Sequence, residues 1–383
     1  MSEISFPISV KVGQLTEKGV AVILPHTVFI GDDVDINLIA SKGVIIYPGC
    51  RISGNNTIIG EGCHIGEESP AVINNCALGK NVKLKGGFFS NSVFFDNVSV
   101  GSCAHVRECC LLEEYASCAH AVGMKHTILM PFVTLGSLIN FCDCLMAGGT
   151  GRKDHSEVGS SFVHFNYTPN GDKATASMFG DVLKGVMLDR PRIFLGGQGG
   201  VVGPIKTGFG FILGAGGVLR KDIIEDNILV AVSSPNVRTN AFENKSINRR
   251  IIKRNYEYIS NLAALKQWYL RVRCLFFNNH ILERKLVSAA LEAIEGAIKE
   301  RLKRFSEYLL ITRGSADLVM TLTEKLVVAD NVGLYERDCF LEKLVEYADT
   351  DTNYIDAIKS LPQETKQYGS EWLSKIIGHI NQL

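Results

Sequence analysis

Apolar residues recur along residues 25–235 with a period of six. Aliphatic or small residues stand at Ile46, Ile52 and Ile58, and the same phase returns in later stretches of the chain. These later positions are Val72, Leu78 and Leu84; Phe94, Val100, Val106, Leu112 and Cys118; and Thr207, Leu213 and Leu219. A period of six fits neither an α-helix, which repeats every 3.6 residues, nor a strand with simple alternation.

Gly, Asn and Asp separate the apolar positions, as in TIIGEGCHIGEE and GFILGAGGVLRKD. This pattern is typical of a coil of short parallel strands, three per turn, in which one residue per hexapeptide points inward. We therefore predict an all-β fold, a left-handed parallel β-helix over residues 25–239, preceded by an N-terminal lead-in of residues 1–24. The phase breaks at 146–157, 168–173 and 180–203, where we expect loops that leave the coil.

The pattern changes after about residue 240. Glycines become few there, and apolar residues recur at helical spacing with Glu, Lys and Arg between them. Residues 240–383 are therefore predicted to form a C-terminal helical domain, an all-α region. Its basic cluster is read most simply as a solvated helix face, and alternatively as a phosphate site; the cluster comprises Arg249, Arg250, Lys253 and Arg254.

Charge and composition exclude several classes of function. The 383 residues include 40 basic and 40 acidic ones, so neither nucleic acid nor an anionic membrane is an expected partner. No apolar stretch approaches the roughly 18 residues of a membrane span. The start, MSEISFPISVKVG, has no signal-peptide pattern, which favours a cytoplasmic protein. The 11 cysteines are odd in number and contain no CxxC, so we expect reduced thiols and no metal.

Several motifs resemble a known family, the bacterial bifunctional enzymes that acetylate glucosamine-1-phosphate and then uridylate it. The clearest is PIKTGFGFILGAGGVLRKDI followed by NILVAVSSPN, and three other stretches agree in length and phase. These are KGVAVILPHTVFIGDDVDI, VGSCAHVRECCLLEEYASCAHAVGMKHTIL and SEVGSSFVHFNY. The resemblance covers residues 18–239 and concerns the β-helical acetyltransferase half, in the hexapeptide-repeat transferase superfamily. Only residues 1–24 precede the predicted β-helix, so the uridylation activity is not expected here.

The resemblance implies an acyltransferase of cell-envelope biosynthesis. The expected reaction is N-acetyl transfer from acetyl-CoA, as co-substrate, to an amino-sugar phosphate or a nucleotide sugar related to UDP-N-acetylglucosamine. It also implies a homotrimer, because each subunit of the family supplies only part of the substrate cleft.

The resemblance also implies a set of binding residues. Arg107 and Lys125 match the cations that hold the sugar phosphate, and they stand eighteen residues apart, the length of one coil, so they would stack on one face. Asn166, Tyr167 and Lys173 match the residues that line the acceptor pocket, although the loop before Lys173 is one residue longer than in the family. Alternatively, the cations are surface charges and Lys173 is a solvated loop tip.

The acetyl-CoA positions of the family fall on Ser160 and Ala215. Small residues suit a site where the ligand approaches the backbone, and a backbone N–H near Ser160 would stabilise the thioester oxyanion. Small residues are equally what any corner of a β-helix needs, so the structural interpretation stays open.

The catalytic positions depart from the family. Its general-base histidine aligns with Phe141, the tyrosine partner of that histidine with Cys144, and an asparagine with Glu157. Since phenylalanine cannot accept a proton, we consider His164 or Glu157 as the base, with His155 as a further candidate. Each histidine is alternatively a structural or surface residue.

We also consider a zinc site and two non-enzymatic functions. The tetrapeptide SCAH occurs at 102–105 and 117–120, but its fifteen-residue spacing does not fit a coil of eighteen, so we do not expect the three-histidine zinc site of β-helical carbonic anhydrases. The chain could also be a catalytically degenerate protein that binds a sugar phosphate or nucleotide sugar, or a scaffold that presents the helical region to a partner.

Overall fold

The fold is given by a computed structural model that describes residues 9–168, 171–232, 248–277, 280–348 and 352–382. Its first strands are β1 (Ala21–Val22), β2 (Phe29–Ile30), β3 (Ile45–Ile46), β4 (Arg51–Ser53), β5 (Ile58–Ile59), β6 (His64–Ile65), β7 (Ala71–Asn74), β8 (Ala77–Leu78), β9 (Lys83–Leu84), β10 (Gly87–Ser90), β11 (Val93–Phe94), β12 (Ser99–Val100), β13 (Ala104–Val106), β14 (Leu111–Leu112) and β15 (Ser117–Cys118).

The later strands are β16 (Val122–Met124), β17 (Ile128–Leu129), β18 (Thr134–Leu135), β19 (Ile139–Asn140), β20 (Cys144–Met146), β21 (Gly149–Gly151), β22 (Asp154–His155), β23 (Glu157–Val158), β24 (Val163–Phe165), β25 (Ser177–Phe179), β26 (Phe194–Leu195), β27 (Gly200–Val202), β28 (Lys206–Thr207), β29 (Ile212–Leu213), β30 (Val218–Leu219) and β31 (Leu229–Val230).

The α-helices are α1 (Val10–Lys18), α2 (Val182–Gly185), α3 (Arg249–Trp268), α4 (Cys274–Phe276), α5 (Ile281–Thr312), α6 (Asp317–Val328), α7 (Leu334–Ala348), α8 (Tyr354–Ser360) and α9 (Gln363–Asn381). A π-helical turn, Tyr269–Arg273, joins α3 to α4. Short 3-10 turns lie at Pro25–Thr27, Ile36–Leu38 and Ala329–Asn331.

The strands wind into three parallel sheets, as the period of six predicts. Sheet A has the order β1-β3-β6-β9-β12-β15-β18-β23-β26-β29-β31, and sheet B has the order β2-β4-β7-β10-β13-β16-β19-β24-β27-β30. Sheet C has the order β28-β25-β20-β17-β14-β11-β8-β5. Each coil passes through A, B and C in turn. The architecture is the predicted left-handed parallel β-helix with a C-terminal all-α region, so the fold class is confirmed.

The backbone itself repeats with the predicted period. Asn97, Cys103, Cys109, Tyr115 and Ala121 lie six residues apart, and all have positive φ, between 56° and 63°. A left-handed conformation in a residue with a side chain costs roughly 1–2 kcal/mol. The turns of the coil therefore dictate these corners, and the cost is offset by the strand pairing on either side.

One inward position was predicted wrongly. Val72 is half-buried, whereas its neighbours Ala71 and Ile73 are both fully buried. Ile73 pairs with Ile52, so this coil spans twenty-one residues rather than eighteen and its inward phase moves by one residue. The other predicted inward positions are buried.

The excursions from the coil have structures of their own. The break at 146–157 holds the antiparallel hairpin of β21 and β22, and the break that begins at 180 holds α2. The coil resumes at β26, so this excursion is shorter than predicted. At the N-terminus, β1 already belongs to sheet A although it lies within the predicted lead-in. The predicted boundary between residues 239 and 240 lies outside the described residues.

Helix α5 packs along sheet C, where it contacts β5, β8, β11 and β14. Sheet C strands accordingly carry pairs of buried apolar residues, such as Ile58 with Ile59 and Leu111 with Leu112. Sheet A strands instead alternate, as in β9, where Lys83 is exposed and Leu84 is buried. A sheet that is covered on both faces needs apolar side chains on both faces.

A buried arginine ties the helical region to the coil. Arg273 donates two hydrogen bonds to Glu114, at 3.0 and 2.6 Å. Its guanidinium carbon lies 3.9 Å from the ring centroid of Tyr354 and 4.2 Å from that of Phe95. The guanidinium is thus held by a bidentate carboxylate and two aromatic faces.

Part of the basic cluster on α3 also contacts the coil. Arg250 and Arg254 both pair with Asp222, at 3.1 and 2.9 Å, and Arg250 donates to the carbonyl of Pro204 at 2.7 Å. These two arginines are therefore neither a solvated face nor a free phosphate site.

Candidate functional site

The candidate site lies at the corner where the chain passes from sheet B to sheet C. Arg107 follows β13 and Lys125 follows β16, and these strands pair with Val106 opposite Met124. The two cations therefore sit one above the other on adjacent coils. Asn166 follows β24 at the same corner, two coils beyond Lys125.

A cavity of about 170 Å³ opens at this corner, and we call it the corner cavity. Four of the five predicted substrate-binding residues line it, which are Arg107, Lys125, Asn166 and Lys173. The remaining lining residues come from the coil and from α5, and they are His126, Asn140, Cys142, Asp143, Glu300 and Arg304. Tyr167 is not among the lining residues, and its side chain is 62% exposed on the adjacent surface.

The cations of the corner cavity differ in how they are held. Lys125 pairs with Glu108 at 2.6 Å, and both side chains remain partly exposed. Arg304 pairs with Glu300 at 2.7 Å and with Glu307 at 2.8 Å. Arg107 and Lys173 are exposed and have no carboxylate partner among the described residues. An incoming anion would find these two cations available.

Asp143 joins the coil, the loop and the helical region at the base of the cavity. It accepts from Asn166 Nδ2 and from Arg301 Nη2, each at 2.6 Å. Arg301, which is 2% exposed, also donates to the carbonyl of Lys173 at 3.1 Å. One buried ion pair thereby fixes both ends of the loop that carries Asn166 and Lys173.

Sequence reasoning did not find Arg301 or the residues of α5 at the cavity. A signal exists, because Arg301 stands four residues after Ala297 and four before Phe305 on the buried stripe of α5. An arginine on an apolar helical stripe requires a buried partner. The sequence does not reveal which carboxylate that partner is.

His164, the first candidate base, lies inside the coil. It is 1% exposed, its Nδ1 lies 2.6 Å from the carbonyl oxygen of Cys142, and its Nε2 lies 2.7 Å from Ser177 Oγ. Burial lowers the pKa of His164 to about 4. With both nitrogens engaged and no route to solvent, this geometry favours a structural role over proton transfer.

Glu157, the second candidate base, lies on the outer face of sheet A. Its carboxylate is 3.8 Å from Nε2 of His155, whose Nδ1 is 2.9 Å from the carbonyl oxygen of Arg152. Neither residue lines the corner cavity. Glu157 and His164 are therefore separated by the wall of the coil and do not form a pair.

Phe141 fills the interior of the coil. It is fully buried, with its ring centroid 5.5 Å from that of Phe179 and 6.4 Å from that of Phe162. Cys144 is also fully buried, and burial raises the pKa of its thiol. The positions that align with the family's histidine and tyrosine thus supply core packing.

Ser160 and Ala215 lie at the corner between sheets A and B, after β23 and β29. The backbones of successive coils approach closely there, because a Cβ added to Gly196 would come 2.5 Å from the Ala215 nitrogen. Packing thus accounts for the small residues at this corner. Six residues separate Ser160 from Asn166, so the two corners lie at most about 21 Å apart.

His126 is a cavity residue that sequence reasoning missed. It occupies a corner position with φ 48° and is 7% exposed. Its Nε2 lies 4.0 Å from Glu300 Oε1, and its buried Nδ1 has no hydrogen-bond partner among the described residues. His126 belongs to the series of corner residues with positive φ that includes Ala121 and Phe132, so its position in the repeat does not distinguish it from them.

The histidines of the SCAH repeats lie apart. His105 packs its ring 5.0 Å from that of Phe88 on sheet B, and Nδ1 of His120 lies 3.0 Å from Ser137 Oγ. Within the described ranges, no three His, Cys, Asp or Glu side chains are grouped so as to hold a metal ion. Among the same residues, no helix is long and apolar enough to cross a membrane.

Fold and repeat define the class as a parallel β-helix built from hexapeptide repeats. The chain is 29% identical over 213 residues to the bifunctional protein GlmU of Thermotoga maritima, and 30% identical over 213 residues to that of Fervidobacterium nodosum. Each alignment covers 56% of this chain and 42% of the relative. The resemblance indicated by the motifs is therefore confirmed, while the chain spans less than half the length of these relatives.

No family model matches the chain. A solved UDP-N-acetylglucosamine O-acyltransferase (LpxA) from Moraxella catarrhalis aligns with 72% of this chain and 96% of its own, at 11% identity and a TM-score of 0.28.

Proposed function

We propose that the chain is an acyltransferase that binds an amino-sugar phosphate or a nucleotide sugar in the corner cavity and transfers an acetyl group from acetyl-CoA to the sugar nitrogen. One observation carries this proposal. Residues that the family resemblance selects from distant parts of the sequence, Arg107, Lys125, Asn166 and Lys173, line a single cavity.

The charges of the cavity suit a phosphate group. Arg107 offers a planar fork of N–H donors, and Lys173 offers a mobile ammonium. Lys125 adds a third positive charge once the phosphate competes with Glu108, its exposed partner. Asn166 donates through Nδ2 to Asp143, and its amide oxygen would accept a hydrogen bond from a sugar hydroxyl.

The size of the cavity limits what it encloses. Pockets that bury a whole drug-sized ligand have volumes of roughly 300–1,000 Å³. The corner cavity, at about 170 Å³, has room for the phosphate and part of the sugar ring. In a nucleotide sugar, the nucleoside would lie outside, where Tyr167 presents its ring to solvent.

The two proposed substrates bind at different corners of the coil. Acetyl-CoA would bind along the A–B corner at Ser160 and Ala215, with its thioester extended across sheet B toward the cavity. The amine nitrogen attacks the thioester carbonyl carbon, so that a C–N bond forms, the C–S bond breaks and CoA leaves as the thiol. The nitrogen must give up a proton to a base, and the oxyanion that forms on the thioester carbonyl needs a backbone N–H within about 3 Å, which a thioester at the cavity would not find at Ser160.

We further propose that the protein is a cytoplasmic homotrimer. Sheet C is covered by α5, so a partner subunit would pack on sheet A or sheet B. Both sheets expose apolar side chains that a partner could cover: Phe29, Phe88 and Phe165 on sheet B, and Phe194, Ile212 and Leu229 on sheet A. Light scattering should give the mass of three 42.0 kDa chains. A measured mass of one chain would contradict the proposed trimer.

The binding site is tested by calorimetry with glucosamine-1-phosphate, UDP-N-acetylglucosamine and inorganic phosphate. Lys125→Met should weaken sugar-phosphate binding by roughly tenfold or more, since it removes one charge-assisted contact. Lys85→Met is the matched control, because Lys85 forms a similar exposed pair with Glu68 at 2.9 Å elsewhere on the coil. Equal losses in both variants, or no binding to the wild type, would refute the site.

The reaction is tested by mass spectrometry of the acetylated product after incubation with acetyl-CoA and glucosamine-1-phosphate. Acetyl transfer that depends on Lys125 supports the proposal. Tight binding without any transfer would instead establish a catalytically degenerate sugar-phosphate-binding protein.

A further inference from the structure

The corner cavity is lined by a histidine that has one ring nitrogen without a hydrogen-bond partner among the described residues. His126 lines the cavity beside Lys125 and follows it directly in the chain. The residue is 7% exposed, and its Nδ1 atom is buried and has no hydrogen-bond partner among the described residues. A buried ring nitrogen without a partner is unusual, because the lost hydrogen bond costs about 1–3 kcal/mol.

A carboxylate from the helical region faces the other ring nitrogen. Glu300 of α5 lies 4.0 Å from His126 Nε2 and lines the same cavity. Its side chain is 16% exposed and is also held by Arg304 at 2.7 Å. In the arrangement used by many general bases, a carboxylate orients one imidazole nitrogen and leaves the lone pair of the other to accept a proton. Such contacts are often longer in the absence of substrate.

The surroundings keep the imidazole neutral. Burial lowers the pKa of His126, the carboxylate of Asp143 opposes this shift, and the Arg301 guanidinium adds to it. The charged groups that face the ring come from the coil and from α5; they are Glu108, Lys125, Asp143, Glu300 and Arg301. A neutral imidazole at neutral pH can accept a proton, whereas an imidazolium cannot.

We propose that His126 is the general base of the acetyl transfer and that Glu300 is its positioning residue. The inference rests on the proposed function, and it assigns the helical region a part in the site. As the sugar nitrogen bonds to the thioester carbonyl carbon, its proton passes to His126 Nδ1, and His126 returns that proton to the departing CoA sulfur. Atoms and charge balance with acetyl-CoA and the amino sugar as the only reactants.

His126 therefore lies one coil before Phe141, and Phe141 occupies the position that the family resemblance indicates for the base. Lys125 and His126 on one coil lie beside Cys142 and Asp143 on the next, as the backbone bond from Asp143 to the carbonyl of Lys125 at 2.8 Å shows. The cavity thus keeps a histidine near the acceptor position while the family's base position has become core.

The experiment compares full-length variants in the acetyl-transfer assay. His126→Gln should lower kcat by roughly 100-fold or more, the usual contribution of a general base, with sugar-phosphate affinity changed less than about threefold. His64→Gln is the matched control, because His64 Nδ1 is also buried and has no hydrogen-bond partner among the described residues, but lies on sheet A. It should keep wild-type kcat.

Glu300→Gln tests the positioning residue through the pH profile. The Glu300 carboxylate raises the pKa of His126, so its loss should move the acidic limb of kcat/KM to lower pH. Glu295→Gln is the control on the same helix. Glu295 pairs with Lys266 at 2.9 Å, and neither residue lines the corner cavity. A purely structural role for Glu300 would lower activity without moving the limb.

The outcomes separate the two proposals. Transfer by the wild type that survives in His126→Gln overturns the base assignment and leaves the proposed function standing. A wild type that binds the sugar phosphate but transfers no acetyl group overturns both. Loss of kcat in His126→Gln together with the shifted limb in Glu300→Gln supports the assignment.

Discussion

A buried carboxyl at the junction of coil and helices makes the stability of this protein depend on pH. Glu113 is 2% exposed and accepts a hydrogen bond from the Tyr269 hydroxyl at 2.6 Å. Burial raises the pKa of Glu113 to about 7, the neighbouring Glu114 carboxylate adds to the rise, and Arg273 opposes it. The perturbation that tests this is Glu113→Gln, which keeps the shape and removes the ionisation.

The sign follows from proton linkage. The folded pKa lies above the ordinary value of 4.5, so folding takes up a proton, and the contribution of Glu113 to stability falls as pH rises from 4.5 to 7. One pKa unit corresponds to about 1.4 kcal/mol. Between pH 5 and pH 8 the wild type should therefore lose about 2–3 kcal/mol through this group, and Glu113→Gln should lose nothing through it.

The assay is urea unfolding of both proteins at pH 5 and pH 8. The free energy of unfolding of Glu113→Gln minus that of the wild type should rise by about 2–3 kcal/mol between the two pH values. Glu68→Gln is the control, because Lys85 lowers the pKa of Glu68 and its small effect should have the opposite sign. A difference for Glu113→Gln that is the same at both pH values would refute the reasoning.

Three further predictions concern the coil and its contacts. Phe141→His should cost about 3 kcal/mol or more in urea unfolding and yield no gain of acetyl transfer, because Phe141 is fully buried; Phe165→His, at a side chain 45% exposed, should be nearly neutral. Asp143→Asn should cost about 3–5 kcal/mol in urea unfolding by leaving Arg301 buried without its carboxylate; Asp143→Asn with Arg301→Met should recover part of that loss. In thiol labelling of the native protein, exposed Cys103 should react first, while Cys63 and Cys76, whose pKa burial raises to about 12, should react only after unfolding.

The sequence predicted the coil because each hexapeptide carries its own inward residue and its own corner. That information is local, and it failed only where residues were inserted, as before Val72. The vertical register of Arg107 and Lys125 followed from the same rule, since one coil is eighteen residues. The stacking of these two cations was therefore predictable, whereas the coil residues His126 and Asp143 at the same cavity were not predicted.

The contacts of the helical region were not predictable in the same way. Asp143 and Arg301 are 158 residues apart in the chain, and no periodic pattern relates them. The doubled apolar residues of sheet C are typical of a sheet that is covered on both faces, but they do not identify α5 as the element that covers it. The burial of His164 has a local cause, since alternation along β24 turns its side chain inward between Val163 and Phe165.

Helix α5 also changes how the β-helix can unfold. In a simple solenoid each coil touches only its neighbours, so the ends can open independently of the middle. The 32 residues of α5 span about 48 Å and bridge β5, β8, β11 and β14, which belong to successive coils. Opening any one of these coils breaks the same helix contacts, so they share one cooperative transition. The coils at either end, around β1 and β3 and around β29 and β31, lie beyond this brace and should exchange their amide hydrogens before the coils that it bridges.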